Sequence, residues 1–289
     1  MQVERSAQSY REACEALRRS GQRVALVPTM GALHAGHLAL VDEAKRHADA
    51  VVVSIFVNPT QFGPTEDYTK YPRPLEADLA ACAERGVALA FCPPVEEIYP
   101  EGERTRVRVE GLTDHLCGSS RPGHFEGVAT VVAKLFGLTG KCVAVFGRKD
   151  YQQLKVVERL ARDLGLPVEV IGHPIVREAD GLARSSRNAY LSSDQRSQAL
   201  AIPRALTEAT ARFAAGERSC TEILSAVRRI VDAAELRLDY AVLADPSEIT
   251  PLAQDAQISS RALLALAAFA GATRLIDNVV LGEDPAPQP

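Results

Sequence analysis

An α/β fold on a parallel sheet, followed by a smaller α+β unit, is predicted by three features of the sequence. Short apolar runs at Val24–Val27, Ala50–Phe56, Cys142–Phe146 and Val168–Gly172 alternate with helical periodicities through the first part of the chain. These runs are apolar almost without interruption, as strands buried on both faces are. Beyond His173-Pro174 the order changes, to helices followed by three further apolar runs.

The elements follow in order. Ser6–Arg19 has the spacing of an amphipathic helix leading to the first strand, Val24–Val27, which Gln22-Arg23 and Pro28 bound. Thr29-Met30-Gly31 makes a glycine turn, and from Gly36 onward Leu38, Val41, Ala44 and Ala48 fall on one helical face. His34-Ala35-Gly36-His37 therefore stands where a helix begins, just past the carboxyl end of a strand. That edge is the usual ligand crevice of a doubly wound sheet, and the free N–H groups of a helix start suit phosphate. Zinc binding and simple capping are the other uses of such a pair. No Cys-x-x-Cys or third clustered ligand lies nearby to support zinc.

The second strand, Ala50–Phe56, ends in the loop Val57–Gly63, and Tyr68–Pro74 is a proline-punctuated loop. Leu75–Arg85 is helical, and Val87–Phe91 is a strand that Cys92-Pro93-Pro94 stops. Arg106–Val109 alternates and predicts an edge strand, and the polar loop Ser119–His124 opens a helix over Phe125–Leu138. Cys142–Phe146 runs into Gly147-Arg148-Lys149-Asp150, and the next helix carries Leu154, Val157, Leu160 and Leu164 on one face. After the last parallel strand, Val168–Gly172, comes Arg184-Ser185-Ser186-Arg187-Asn188. Helices are expected over Asp194–Ala214 and Thr221–Glu235, and strands over Leu238–Leu243, Ala262–Phe269 and Thr273–Ile276. We place the domain boundary at residue 175, with domains 1–175 and 176–289. The proline-rich acidic tail Gly282–Pro289 is expected to be disordered.

A net charge of −4 argues against nucleic acid or an anionic membrane as the main partner. No run approaches the roughly 20 apolar residues of a membrane span, and Met1-Gln2-Val3-Glu4-Arg5 lacks the apolar core of a signal peptide. The six cysteines show no tight pairing and read as reduced thiols of a cytoplasmic protein.

The loops His34–His37, Asn58–Gln61, Gly147–Gln153 and Arg184–Asn188 are all expected at one crevice. Singly, each has an ordinary reading as a turn, a cap or a solvated charge. Together they have a chemical logic. The histidines and a helix terminus suit nucleotide phosphates, and Lys149 and Arg187 can neutralise charge developing at phosphorus. Asp150 can accept ribose hydroxyls, while Gln61 and Gln153 are neutral amides suited to a hydroxyl-rich substrate.

His-x-Gly-His and Ser-Ser-Arg resemble the two signatures of the nucleotidyltransferase superfamily that includes class I aminoacyl-tRNA synthetases. The surrounding segments narrow the resemblance: Pro28–His37, Phe56–Phe62, Tyr71-Pro72-Arg73, Arg121–Phe125, Phe146–Gln153, Ser185–Asn188 and Thr273–Asn278 are similar, in family order, to the pantothenate synthetase family. The resemblance implies a Rossmann-like first domain and ATP-dependent condensation of pantoate with β-alanine through a pantoyl-adenylate, giving pantothenate, AMP and pyrophosphate. It also implies Mg²⁺ on the phosphates, with protein ligands unassigned, and a homodimer.

Carried onto this sequence, the resemblance makes His34, His37, Lys149 and Arg187 the catalytic group. The ATP-binding set becomes Met30-Gly31-Ala32-Leu33-His34-Ala35-Gly36-His37, Gly147-Arg148-Lys149-Asp150, Val176 and Arg184-Ser185-Ser186-Arg187. Gln61, Gln153, Asn58, Tyr71 and Arg121 become substrate-binding. Arg184 departs from the apolar residue usual there, and Ala35 from an often acidic one. Two rival functions are another small nucleotidyltransferase that leaves a stable nucleotidyl product, and a nucleotide-sensing module without catalysis. The second domain is expected to act as a lid that carries Arg187 to the phosphates and excludes water.

Overall fold

The structure is a computed structural model and describes residues 1–64 and 66–287. In chain order its elements are β1 (Gln2–Glu4), α1 (Ala7–Arg19), β2 (Val24–Thr29), α2 (Ala35–His47), β3 (Ala50–Ile55), α3 (Leu75–Glu84), β4 (Leu89–Phe91) and α4 (Val95–Ile98). They continue with α5 (Cys117–Ser120), α6 (His124–Thr139), β5 (Cys142–Gly147), α7 (Tyr151–Asp163) and β6 (Val168–His173). The last are α8 (Ser193–Ala199), α9 (Ala201–Ala214), α10 (Cys220–Ala233), β7 (Arg237–Ala244), β8 (Ala262–Ala270) and β9 (Thr273–Leu281). The chain divides into two compact units. One comprises Met1–Glu110, Arg121–Arg148 and Gln153–Pro174; the other comprises Gly111–Ser120, Lys149–Gln152 and the chain from Ile175 onward.

In the first unit β1 to β6 form a parallel sheet in the order β1-β4-β3-β2-β5-β6. Both faces are covered, as the uninterrupted apolar runs require. Ala25, Val27, Val51, Val53, Val143 and Val145 pack with Leu40, Val41 and Ala44 of α2 and Cys82 of α3. Leu26, Val52 and Ala144, of opposite parity, are equally buried. The Tyr10 ring of α1 stacks on Phe91 at 4.1 Å, and its hydroxyl meets Thr139 Oγ1 of α6 at 2.6 Å. Strand order reverses between β2 and β5, so their carboxyl ends form the topological switch point where α/β sheets bind ligands.

The second unit is built on an antiparallel sheet, β7-β8-β9. Ile202, Leu206 and Phe213 of α9 and Ile223, Val227 and Val231 of α10 close its core against Leu264, Leu266 and Val279. All six cysteines are buried and free of disulfides. Among the described residues no helix is long and apolar enough to cross a membrane.

Several local expectations need correction. Arg106–Val109 forms no strand; the Val107 N–H is satisfied by Thr130 Oγ1 at 3.0 Å, not by a neighbouring strand. The helix expected over Asp194–Ala214 is two helices, α8 and α9, which meet at Leu200. Pro203 lies in the first turn of α9, where a missing N–H costs no helical bond. Leu164 lies past the end of α7 and is exposed, because the helix stops ahead of Gly165, whose φ is +61°. The described part of the tail is anchored: Asp284 Oδ2 accepts from the Val280 N–H, and the Pro287 carbonyl accepts from Thr207 Oγ1. Gln288 and Pro289 lie outside the described residues.

Candidate active site

At the carboxyl end of β2 the chain makes a left-handed double turn, with φ of +78° at Gly31 and +50° at Ala32. A buried carboxylate of α3, Asp78, holds this turn. Its Oδ2 accepts from the Ala32 N–H at 2.9 Å and its Oδ1 from the Leu33 N–H at 2.7 Å. Burial pushes the Asp78 carboxyl above its ordinary range, against the pull of those two N–H bonds. A Cβ on Gly31 would stand 2.9 Å from Asp78 Oδ2, so this position also needs glycine for space. The Thr29 hydroxyl donates to the Ser54 carbonyl and accepts from the Gly31 N–H, which ties the turn to β3.

The turn delivers the histidine pair onto α2 as its cap. His34 is the N-cap, and its Nδ1 accepts from the Gly36 N–H at 3.1 Å. His37 closes the capping box, its Nδ1 accepting from the His34 N–H at 3.4 Å. The rings stack at 4.0 Å. An Nδ1 that accepts must carry a lone pair, so in each neutral ring the proton lies on Nε2. The cap bonds thus fix the tautomer that can donate through Nε2.

Gln61 and Asn58 meet beyond the end of β3. Asn58 is buried and its amide is heavily used: Nδ2 donates to Gln61 Oε1 and the Gly127 carbonyl, and Oδ1 accepts from Thr60 and from the Tyr99 hydroxyl at 2.7 Å. Asn58 therefore aims Gln61. Gln61 Nε2 in turn lies 3.2 Å from Met30 Sδ. Gly127 makes this possible, since a Cβ there would meet the Thr60 carbonyl oxygen at 2.3 Å. Arg121 is gripped at Nε and Nη2 by the two oxygens of Glu66 and donates through Nη1 to His124 Nε2. His124 Nδ1–H donates to the Gln61 carbonyl at 2.8 Å. Burial works to raise Glu66, but the hydrogen bonds and charge of Arg121 override it and hold the carboxyl low. Tyr71 is buried edge-on against Phe62 at 5.9 Å.

β5 ends at Gly147, and Arg148–Asp150 makes a 3-10 turn into α7. The adjacent glutamines of α7 differ sharply. Gln152 is buried, donating to the Leu112 and His115 carbonyls and accepting from the Cys117 N–H, so it is structural. Gln153, the one assigned to substrate, is only partly buried.

In the second unit, Lys149 Nζ lies 3.7 Å from Asp150 Oδ2. Residues 176–184 form a hairpin, with Arg177 opposite Ala183 and the Arg184 N–H on the Val176 carbonyl. Asn188 Nδ2 and Arg196 both bond Glu178, and Arg196 also bonds Asp180. Ser185 caps the 3-10 turn Ser186–Tyr190, its hydroxyl accepting from the Arg187 N–H at 3.3 Å. Among the described residues no three His, Cys, Asp or Glu side chains converge as a metal cage.

Sequence reasoning missed Asp78, Glu66, Gly127 and Tyr99. Each acts through a partner distant in the chain, and nothing in its local pattern marks it.

A family model described as pantoate-beta-alanine ligase matches residues 2–280. Pantothenate synthetase of Myxococcus xanthus is 54% identical over 267 residues, covering 92% of this chain and 91% of that one. That of Moorella thermoacetica is 50% identical over 282 residues, covering 97% and 99%. A crystal structure of the Thermus thermophilus enzyme superposes with a TM-score of 0.90 at 50% identity, covering 96% of this chain and 99% of that one. The Francisella tularensis ligase, crystallised with beta-gamma ATP and beta-alanine, gives 0.80 at 33% identity over 99% of both chains.

Proposed function

The chain belongs to the pantoate–β-alanine ligase family, and on that premise we propose that it joins pantoate to β-alanine through a pantoyl-adenylate, with release of AMP and pyrophosphate. The observation that carries the reading is the His34–His37 capping box at the switch point of the sheet.

The reaction needs an activated acid. A carboxylate is a poor acceptor for an amine, because its leaving group would be oxide. In the first step a pantoate carboxylate oxygen attacks the α-phosphorus of ATP, and the bond from that phosphorus to the bridging oxygen breaks to release pyrophosphate. In the second, the β-alanine amine attacks the acyl carbon, the acyl C–O bond breaks to release AMP, and the nitrogen loses a proton. An anion attacking a polyanion requires local positive charge. Lys149 and Arg187 supply it, and the Nε2–H groups of His34 and His37 add donors at the helix start. Asp150 takes the ribose, with Gly147, Arg148, Val176, Arg184, Ser185 and Ser186 around the nucleotide. Gln61 and Gln153 take pantoate, Asn58 and Arg121 support Gln61, and Tyr71 closes the pocket. The Francisella relative's complex with beta-gamma ATP and beta-alanine supports ATP and β-alanine as substrates. Mg²⁺ bound to the ATP phosphates would offset part of their charge, beside Lys149 and Arg187.

In this reading labour is divided: residues 1–175 bind nucleotide and pantoate, and residues 176–289 act as a lid. The enzyme is a homodimer and works in the cytoplasm. The test of the reaction is incubation with ATP, Mg²⁺, pantoate and β-alanine, with products read by mass spectrometry. Pantothenate, AMP and pyrophosphate are expected in equal amounts. A stable nucleotidyl product, or ADP and phosphate, would overturn the reading.

A further inference from the structure

Thr273–Asn278 belongs to β9, yet nothing in the proposed chemistry uses it. Two consecutive polar residues on this strand, Asp277 and Asn278, are buried, where a strand of this core would otherwise carry apolar side chains. Burying an amide or a carboxylate is unfavourable unless partners are provided. Here the partners lie on segments assigned to phosphate.

Asn278 Nδ2 donates to the main-chain carbonyl of Lys149 at 2.9 Å. Asp277 accepts both terminal nitrogens of Arg177, at 2.7 and 3.0 Å, and also the Asn278 N–H at 2.8 Å. Arg177 spans its own hairpin by donating to the Gly181 carbonyl at 3.0 Å, and that hairpin runs into Arg184-Ser185-Ser186-Arg187. Successive strand residues project to opposite faces, so one dipeptide can hold two segments at once. The strand that bears them is rigid, paired residue by residue with β8 from Thr273 to Leu281.

We infer that Asn278 is a positioning residue for the reaction, holding the Lys149 backbone from β9 so that the lysine is presented to phosphate, with Asp277 acting likewise on the Arg177 hairpin. This inference rests on the phosphate role proposed for Lys149. A lysine side chain has a flexible four-carbon stem, so the placement of its ammonium depends on how firmly its main chain is held. Loss of one backbone anchor leaves the charge present but poorly placed, and the effect is read in the transition state more than in ground-state binding.

A double-mutant cycle tests it, in full-length protein, with single-turnover adenylate formation as the rate. Asn278→Ala is expected to slow adenylate formation by about 10- to 100-fold, the size expected of a small misplacement of a reacting group. Pantoate binding, measured by calorimetry, is expected to stay within about twofold, because Gln61 and Gln153 are untouched. Asn278 acts through Lys149, so adding Asn278→Ala to Lys149→Ala should slow the reaction little further. Full additivity of the two losses, or a wild-type rate for Asn278→Ala, would overturn the inference. Lys149→Ala at the wild-type rate would instead defeat the proposed role of the lysine, and the inference with it. Circular dichroism checks folding. If Asn278→Ala fails to fold, Asn278→Asp replaces it: size is kept, and the donor becomes an acceptor facing the carbonyl, with the same pattern expected.

Discussion

Asp78→Ala should loosen the turn that delivers the histidine pair without touching either histidine. The carboxylate is buried, and its two oxygens take the Ala32 and Leu33 N–H groups at 2.9 and 2.7 Å. Removing it strands two backbone donors, at about 1–3 kcal/mol each. Part of that loss is offset, because the fold no longer buries a carboxyl whose pKa burial has raised. The net destabilisation we expect is about 2–4 kcal/mol. Asp78→Asn keeps one acceptor but turns an amide N–H toward a backbone donor, and should cost about 1–3 kcal/mol. Urea unfolding measures both, as a lower midpoint at unchanged slope. Adenylate formation should slow in both variants, since His34 follows the turn directly.

The pH dependence has a sign that can be checked. A carboxyl with a raised folded pKa holds more protons in the folded state than in the unfolded one between the ordinary Asp value and the raised value. Its contribution to stability therefore declines as pH rises through that window, and Asp78→Asn should lack this decline. Wild-type midpoints together with wild-type adenylation rates in both variants would refute the reasoning.

Four further outcomes are expected. His34→Ala and His37→Ala should each slow adenylate formation by about 10²-fold or more, if each donates to transition-state charge; wild-type rates in single turnover would remove the central assignment. Gln153→Ala should weaken pantoate binding by about 1–3 kcal/mol while leaving ATP binding intact, as calorimetry can show. Gly127→Ala would drive a Cβ to 2.3 Å from the Thr60 carbonyl oxygen; it should cost about 1–3 kcal/mol in urea unfolding and weaken pantoate binding by displacing Gln61. In Glu178 and Asp180, burial works to raise the carboxyls, but the bonds from Arg196 outweigh it and both pKa values are lowered. Their stabilisation is present above the ordinary carboxylate range and lost as pH falls through the depressed values, so Arg196→Gln should flatten the acid limb of a stability–pH curve.

Much of this protein was legible one segment at a time. The strands β2, β3, β5 and β6 and the helices α1, α2, α3 and α6 follow from periodicity and capping, which are local properties of the chain. The histidine pair stood out for the same reason: strand, glycine turn and helix start are consecutive, so the motif carries its own context. Strand order was not written there. The three residues of β1 are a strand only because β4 pairs with them, and Arg106–Val109, with a better pattern, forms none: its Val107 N–H bonds the Thr130 hydroxyl instead of a neighbouring strand. Gln152 and Gln153 are neighbours of identical chemistry, and only packing makes the first a buried brace for Leu112, His115 and Cys117. Asp78, Glu66 and Gly127 were likewise silent, and Asn278, though inside a family-like segment, showed no role there, because each is defined by a partner far along the chain. Asp78 meets Ala32 across 46 positions, Glu66 meets Arg121 across 55, Gly127 meets Asn58 across 69, and Asn278 meets Lys149 across 129. Helical and strand periodicities reflect forces between near neighbours along the chain. Buried hydrogen bonds of this kind exist only once tertiary packing has excluded water and brought the distant donor within reach.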